Sequence, residues 1–434
     1  MRNVLWVFAA VLLVSACDSD LRGRIEAARV FSPRRVEVGN NAVVNLGQLL
    51  FFDRELSGNR NIACASCHFP FKHAGDGEHL GIGEDLEPLP RNTIEPFNRS
   101  FATAMLWDGR IERLEDGSIR SPVPLPEGVE TLLEAQALLP LLDRHEMRGQ
   151  PGDIAVGGQP NELAALPDDD PQAIWDAVLA RILAIEEYRA HFAAAFPRVP
   201  LEEITIVHVA RAMAQFEMRL WELTDTAFDD FLGSVSNPPQ DAAMDPRSVE
   251  GASLFFGDAG CFRCHNGPLL SDERYHNIGV PQLGPRLAEE GLDEGRFRVT
   301  GDPRDRFAFR TPSLRNVSLT GPYMHDGAYT DLVQVIEHHL DPEAHLRQYT
   351  GAQLPEDLRG TLQNDAETQA QILATLSDEV RPLRPLTRYE IESLVNFLFS
   401  LSSRTELTVF PEAGVPFAVP SGLPIDSPFE PRTR

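Results

Sequence analysis

The chain has 434 residues, 42% of them hydrophobic and 24% charged, which predicts two or three domains of roughly 100–200 residues and excludes global disorder. Sixty-five acids against 39 bases leave a formal charge of −26; such a surface repels phosphate backbones, argues against nucleic acid as a partner and steers basic proteins instead. Only one short N-terminal segment is apolar enough to engage a membrane, so a multi-span membrane protein is excluded.

That segment runs from Val4 to Val14, with Arg2 in front and Ser15, Ala16 and Cys17 behind. A charged start, a short apolar run and small residues before a cleavage point read as a secretory signal over residues 1–16. The run is too short for a bilayer-spanning helix, which needs about 20 residues. Val14-Ser15-Ala16-Cys17 resembles a bacterial lipobox, which would leave Cys17 lipidated at the head of a polar tether over 17–41. An ordinary cleaved signal, with Cys17 incidental, is the plainer alternative.

The other four cysteines fall into Cys64-Ala65-Ser66-Cys67-His68 and Cys261-Phe262-Arg263-Cys264-His265. Composition alone predicts about 0.002 such motifs by chance. Two thiols one turn apart can join both vinyl groups of one haem, and the adjacent histidine then sits beneath the iron as its proximal ligand. A joint zinc site with Cys and His ligands could be built from the two pairs, and a redox dithiol would not need the histidine twice; both are weaker readings. Two covalently held haem c groups are therefore expected, in an exported, periplasmic protein whose membrane contact is limited to a lipid anchor.

An internal repeat frames the two motifs. Gly47-Gln48-Leu49-Leu50-Phe51-Phe52 precedes the first and Gly251-Ala252-Ser253-Leu254-Phe255-Phe256 the second, at an offset of 204 residues against 197 for the cysteines. Each reads as one face of a short helix leading into the attachment loop. Ile206, Val209, Ala210, Met213 and Phe216 mark an amphipathic helix closing the first module. Gly233 to Pro246 reads as the linker. Arg296, Arg298, Arg304, Arg306, Arg310 and Arg315 read as solvated loop charge, or as one or two partners of haem propionates. Ile391, Leu394, Val395, Leu398 and Leu401 close the second module, with Thr387 and Glu390 placed as a capping box. The expected fold is mainly α, with two cytochrome-c-like haem domains with long loops over 42–240 and 241–409, then a Pro-rich tail over 410–434.

These motifs, with Arg91-Asn92, Leu106-Trp107-Asp108-Gly109-Arg110, Gln136-Ala137, Glu146-Met147, Thr311-Pro312-Ser313-Leu314-Arg315-Asn316 and Gly321-Pro322-Tyr323-Met324-His325-Asp326-Gly327, resemble the bacterial di-haem cytochrome c peroxidases and their MauG-type relatives. The resemblance spans about Gly47 to Leu401. It implies that hydrogen peroxide reacts at the N-terminal haem, held by Cys64, Cys67 and His68. The C-terminal haem, held by Cys261, Cys264 and His265, would relay or store electrons from a protein donor. Gln136 and Glu146 match the pair over the open face of the first haem, and O–O cleavage needs a group that moves a proton between the two oxygens. Trp107 matches the tryptophan between the haems. Asn92, Thr320 and Pro322 match a calcium site, whose oxygen ligands suit a hard cation.

Two positions depart from the better-known peroxidases. Their Ile-Gly-His turn, whose histidine caps the first iron, reads Ile82-Gly83-Glu84 here, so the first haem is expected to be five-coordinate or water-capped; His73 and His79 lie too close to His68 to substitute. The far ligand of the second haem, Met in the peroxidases and Tyr in MauG, falls on His339, with Met324 and His338 as alternatives. Paired histidines favour ferric iron and a low potential. The leading reading is a peroxidase-family oxidoreductase that reduces hydrogen peroxide with electrons from a small cytochrome or a copper protein. The alternatives are a MauG-like enzyme oxidising residues of a partner protein and a non-catalytic electron-transfer cytochrome.

Overall fold

Each Gly-x-x-Leu-Phe-Phe copy lies at the C-terminal end of a helix, and its glycine is a point of close helix contact. A Cβ on Gly47 would lie 1.9 Å from Ala212 O and 2.9 Å from Phe216 Cβ; one on Gly251 would lie 1.9 Å from Ser393 O and 2.9 Å from Phe397 Cβ. Two helix pairs of the same construction follow from this spacing. The structure, a computed structural model, describes residues 20–34, 38–233, 244–380, 384–408 and 414–426. The expected signal, Cys17 and most of the linker lie outside the described residues.

The first half runs through α1 (20–27), α2 (Asn41–Phe52), α3 (Cys64–Cys67), α4 (Leu132–Leu138), α5 (Pro171–Ala184), α6 (Glu186–Ala195), α7 (Ile206–Trp221) and α8 (Ala227–Gly233). Helices α2 and α7 cross at Gly47, and α5 and α6 cover them, burying Leu46, Leu50, Trp175, Tyr188, Phe192 and Met213 together. The second half runs through α9 (Pro246–Phe255), α10 (Leu287–Glu290), α11 (Phe297–Thr300), α12 (Leu332–Leu340), α13 (Pro342–Gln348), α14 (Glu356–Arg359), α15 (Ala366–Leu373), α16 (Arg388–Phe399) and α17 (Arg404–Thr408). Helices α9 and α16 cross at Gly251 over a core of Phe228, Phe255, Phe256 and Phe397. The expected capping box opens α16, where Thr387 Oγ1 accepts from Glu390 N and the Glu390 carboxylate accepts from Thr387 N.

Strands are minor. β1 (Ala104–Met105), β2 (Ile111–Arg113) and β3 (Ile119–Arg120) form an antiparallel meander with Met105 opposite Ile111. β4 (Tyr275–His276) pairs with β5 (Phe309–Arg310). The β1–β2 turn carries Trp107, and its Gly109 sits at φ +65° with no room for a Cβ, which would lie 1.8 Å from Tyr275 Oη. Among the described residues no helix is long and apolar enough to cross a membrane.

The two chain ends cross over. The expected tether is in part a docked helix: Leu21, Ile25 and Ala28 of the 20–28 stretch, with Val30, are buried in the second core, and Gly267 N donates to Ala28 O at 3.1 Å. The i, i+4, i+7 spacing of these apolar residues makes a stripe that the polar start of the segment hides. Conversely, the C-terminal segment returns to the first half. Val419 is buried beside Phe51 and Trp221, Ser421 Oγ donates to Asp53 Oδ1 at 2.6 Å, and Asp426 pairs with Arg54.

Because backbone carbonyls cannot retreat from a new methyl group, Gly47→Ala and Gly251→Ala should each destabilise the protein by about 3 kcal/mol, the upper end of typical overpacking costs. Gly23→Ala, in a helix with nothing within 4 Å, is the control and should leave stability unchanged or slightly raised. Thermal unfolding of the three variants checks this.

Candidate functional site

The first Cys-x-x-Cys-His motif opens onto a cavity of about 840 Å³, within the range of cofactor sites. Cys64, Cys67, His68, Trp107, Gln136 and Glu146 all line it. The site residues expected from scattered motifs are thus brought around one space. His68 Nδ1–H donates to Ala74 O at 3.2 Å, which fixes the tautomer and leaves Nε2 as the coordinating nitrogen. Neither thiol is in a disulfide. Two thiols on one helical turn, an oriented imidazole and a cavity of this size fit a haem c.

Glu146 is positioned by a local device. Residues Arg144–Arg148 form a single π-helical turn, and Asp143 Oδ1 accepts from His145 N at 2.8 Å and Glu146 N at 3.1 Å. The turn ends at Gly149, φ +81°. Such bulges aim a side chain that regular helix would turn away. Burial, with the nearby charge of Asp143, pushes the Glu146 carboxyl up to about 7, although Arg110 and Arg91 pull the other way. A carboxyl near neutrality can both accept and return a proton at working pH.

Trp107 is held from both halves of the chain. Its Nε1–H donates to Asn92 O at 2.9 Å, and its carbonyl accepts from Arg310 N at 2.8 Å. Arg91 reinforces this junction, pairing with Asp293 at 2.7 and 2.9 Å and with Asp108 at 2.6 Å.

The second motif repeats the first. His265 Nδ1–H donates to Leu270 O at 3.0 Å, again leaving Nε2. Burial and the neighbouring His339 ring push His265 down to about 4, which places the two imidazoles within electrostatic reach. His339, on α12, donates from Nδ1 to Val335 O at 2.7 Å, leaving Nε2. The two alternatives are engaged elsewhere. His338 is buried, with Nε2–H donating to Ile278 O at 2.7 Å and Nδ1 accepting from Tyr329 Oη at 2.9 Å. Met324 packs with Leu80, Val280, Leu283 and Tyr329. Cys261 and Cys264 are likewise not disulfide-bonded.

Glu84, at the departing Ile-Gly-Glu turn, is buried and accepts from Asn59 Nδ2 at 3.2 Å. His73 pairs with Glu406 at 3.0 Å, and His79 donates to Gly327 O at 2.6 Å. None of these three lines the first cavity; His145 does, from an exposed position. Asn92 Nδ2 donates to Glu78 O and His79 O at 3.0 and 3.2 Å, and its backbone N–H donates to His325 O, tying it to the loop that carries Thr320 and Pro322. Of the arginine run, Arg296, Arg310 and Arg315 are buried rather than solvated, whereas Arg304 is exposed. Glu217 is a cavity residue that the motifs did not single out. It is buried beside Cys64, and burial alone pushes it up to about 8. The signal was a charged residue four positions after Met213 on the apolar face of α7.

Comparison with known proteins agrees with this geometry. The family model described as di-haem cytochrome c peroxidase matches residues 41–237. The chain is 32% identical over 298 residues to the methylamine utilization protein MauG of Methylorubrum extorquens, covering 68% of each chain. It is 30% identical over 316 residues to cytochrome c551 peroxidase of Nitrosomonas europaea, covering 73% of this chain and 78% of that one. A MauG-like protein associated with microbial copper homeostasis superposes with a TM-score of 0.62 at 26% identity, over 88% of this chain and 96% of that one.

Proposed function

The chain belongs to the di-haem cytochrome c peroxidase family of oxidoreductases, and from that premise we propose a division of labour between its two haem motifs. Cys64, Cys67 and His68 would hold a peroxide-reducing haem c; Cys261, Cys264 and His265 would hold a second, electron-transferring one, with His339 as a further ligand to its iron. The observation that carries this reading is the gathering of Cys64, Cys67, His68, Gln136 and Glu146 around one cavity. A haem held there would supply the redox centre for peroxide reduction. Glu146 would take a proton from one peroxide oxygen and return it to the other, so that the O–O bond can break with water as the leaving group. Gln136 orients the peroxide, and Trp107 lies on the electron path. Peroxide takes up two electrons and two protons and gives two waters, the electrons coming from a small cytochrome or a copper protein.

A MauG-like role, in which residues of a partner protein are the reductant, is favoured by one observation, that the Ile82-Gly83-Glu84 turn directs no side chain into the first cavity; the family resemblance adds that His339 falls at the position where the peroxidases carry Met. A periplasmic location, a lipid anchor on Cys17 and a calcium ion held by Asn92, Thr320 and Pro322 complete the proposal.

Denatured holo-protein should retain two haems per chain in a pyridine haemochrome assay, and the ferric protein as isolated should react with peroxide in stopped flow without prior reduction. One haem, or extractable haem, would overturn the di-haem assignment. Inertness of the ferric form would overturn the open first site, and with it the preference for catalysis over pure electron transfer.

A further inference from the structure

The turn that carries Glu146 is held from behind by a buried pair of amides. Asn59 is 5% and Asn161 3% exposed, and neither lines the first cavity. Asn161 Nδ2 donates to Arg148 O and to Asn59 Oδ1, both at 2.8 Å, and its Oδ1 accepts from Ala164 N at 3.0 Å. Asn59 Nδ2 donates to Asp153 Oδ2 at 2.9 Å and to Glu84 Oε2 at 3.2 Å. Carboxylates accept and do not donate when ionised, so they fix which way the Asn59 amide faces. Its oxygen is thereby turned to Asn161.

These bonds meet a need that the π-helical turn creates. The last carbonyls of a helix have no partner within it. Here Met147 O accepts from Gly58 N at 2.7 Å, and Arg148 O accepts from Asn161. The approach is close: a Cβ on Gly58 would lie 1.9 Å from Arg148 O and 2.4 Å from Asn161 Nδ2. Gly58 and Asn59 belong to the stretch that runs directly into Cys64. The chain leading to the first attachment motif therefore also grips the turn that bears the carboxyl.

We propose that Asn161, oriented by Asn59, is a positioning residue for Glu146: through the carbonyl of Arg148 it holds the π-helical turn in the form that faces the carboxyl into the cavity. The inference rests on the acid–base reading of Glu146 made above. A misplacement of about 1 Å at a reacting group can cost about 100-fold in rate, so bonds remote from the chemistry suffice to control it.

Asn161→Asp is the sharpest probe. It keeps the size and the bond to Ala164 N, but sets an oxygen against Arg148 O and Asn59 Oδ1 where a donor stood. In holo-protein it should slow the peroxide reaction roughly 10-fold or more. Combined with Glu146→Gln, it should add nothing to the loss that Glu146→Gln causes alone. The inflection of its pH–rate profile should fall below the wild-type one, because a carboxyl swung out of its buried position regains water. The carbon monoxide stretching band of the reduced first haem, which reports hydrogen bonding to the bound gas, should shift toward its value in Glu146→Gln.

A wild-type rate in Glu146→Gln would overturn the acid–base reading and this inference with it. Slowing in Glu146→Gln, but a wild-type inflection and band in Asn161→Asp, would overturn this inference alone, even if the variant melts at a lower temperature. Losses that multiply in the double variant would also overturn it, since Asn161 would then act by another route. Should Asn161→Asp fail to fold, Asp153→Ala removes an acceptor of Asn59 from the half-buried edge of the network and is read by the same measures.

Discussion

Glu146→Gln should slow the peroxide reaction about 100-fold or more, the usual scale for a general acid–base group, while both haems stay attached. The substitution keeps the shape and the backbone bonds to Asp143 but removes the titrating proton. The pH profile sharpens the test. Burial disfavours the charged carboxylate and pushes Glu146 up to about 7, so the base form is the minority at pH 6 and the majority at pH 8. The wild-type rate should therefore rise through pH 7 rather than through the ordinary carboxylate range, and the Gln variant should lack that inflection. Stopped-flow rates between pH 5 and 9 measure both. A wild-type rate in the variant would make Glu146 a bystander.

His339→Ala should convert the second haem from low-spin to high-spin and open it to small ligands, leaving the first haem unchanged. The motive is geometric: His339 Nε2 is the nitrogen left after Nδ1 binds Val335 O, and its ring bears electrostatically on His265. Met324→Ala should keep the low-spin signal, and the wild-type ferric spectrum should lack the near-infrared band of methionine–iron ligation. His338→Ala should also be spectroscopically silent but should unfold at lower temperature, by about 2 kcal/mol or more, because it empties a buried site and strands Tyr329 Oη and Ile278 O. Loss of the low-spin signal in Met324→Ala, with its retention in His339→Ala, would reverse the ligand assignment and with it the argument for a low-potential haem.

The two attachment motifs and the helices that lead into them were legible in the sequence because both are written locally. A Cys-x-x-Cys-His motif carries its own geometry, and the twin Gly-x-x-Leu-Phe-Phe copies announce two equivalent helices, whereas their crossing with α7 and α16 at Gly47 and Gly251 appears only in the structure. The gathering of Gln136, Glu146 and Trp107 followed from family resemblance, not from spacing, since nothing in the residues between them shows that a π-turn will aim Glu146 inward. What escaped depends on contacts between distant segments. Helix α1 hid its apolar stripe behind a polar start. The burial of Arg296, Arg310 and Arg315 required acidic and carbonyl partners from other loops, such as Glu112, Glu273 and Asp229. The choice between His338 and His339 turns on a rotation of about 100°, which becomes visible only when Tyr329 and Ile278 are seen to occupy the first of them.

The crossing of the chain ends sets an order of assembly. Residues 20–30 complete the core around the second Cys-x-x-Cys-His motif, and residues 414–426 complete the wall behind the first. The second surround is complete once α16 has emerged, whereas the first waits for residues 414–426. Where Cys261 carries no haem, burial pushes its thiol up to about 12, a poor state for a sulfur that must react. On the haem reading proposed above, thioether formation at Cys261 precedes the docking of residues 20–30, and that helix acts as a late closure over the second motif.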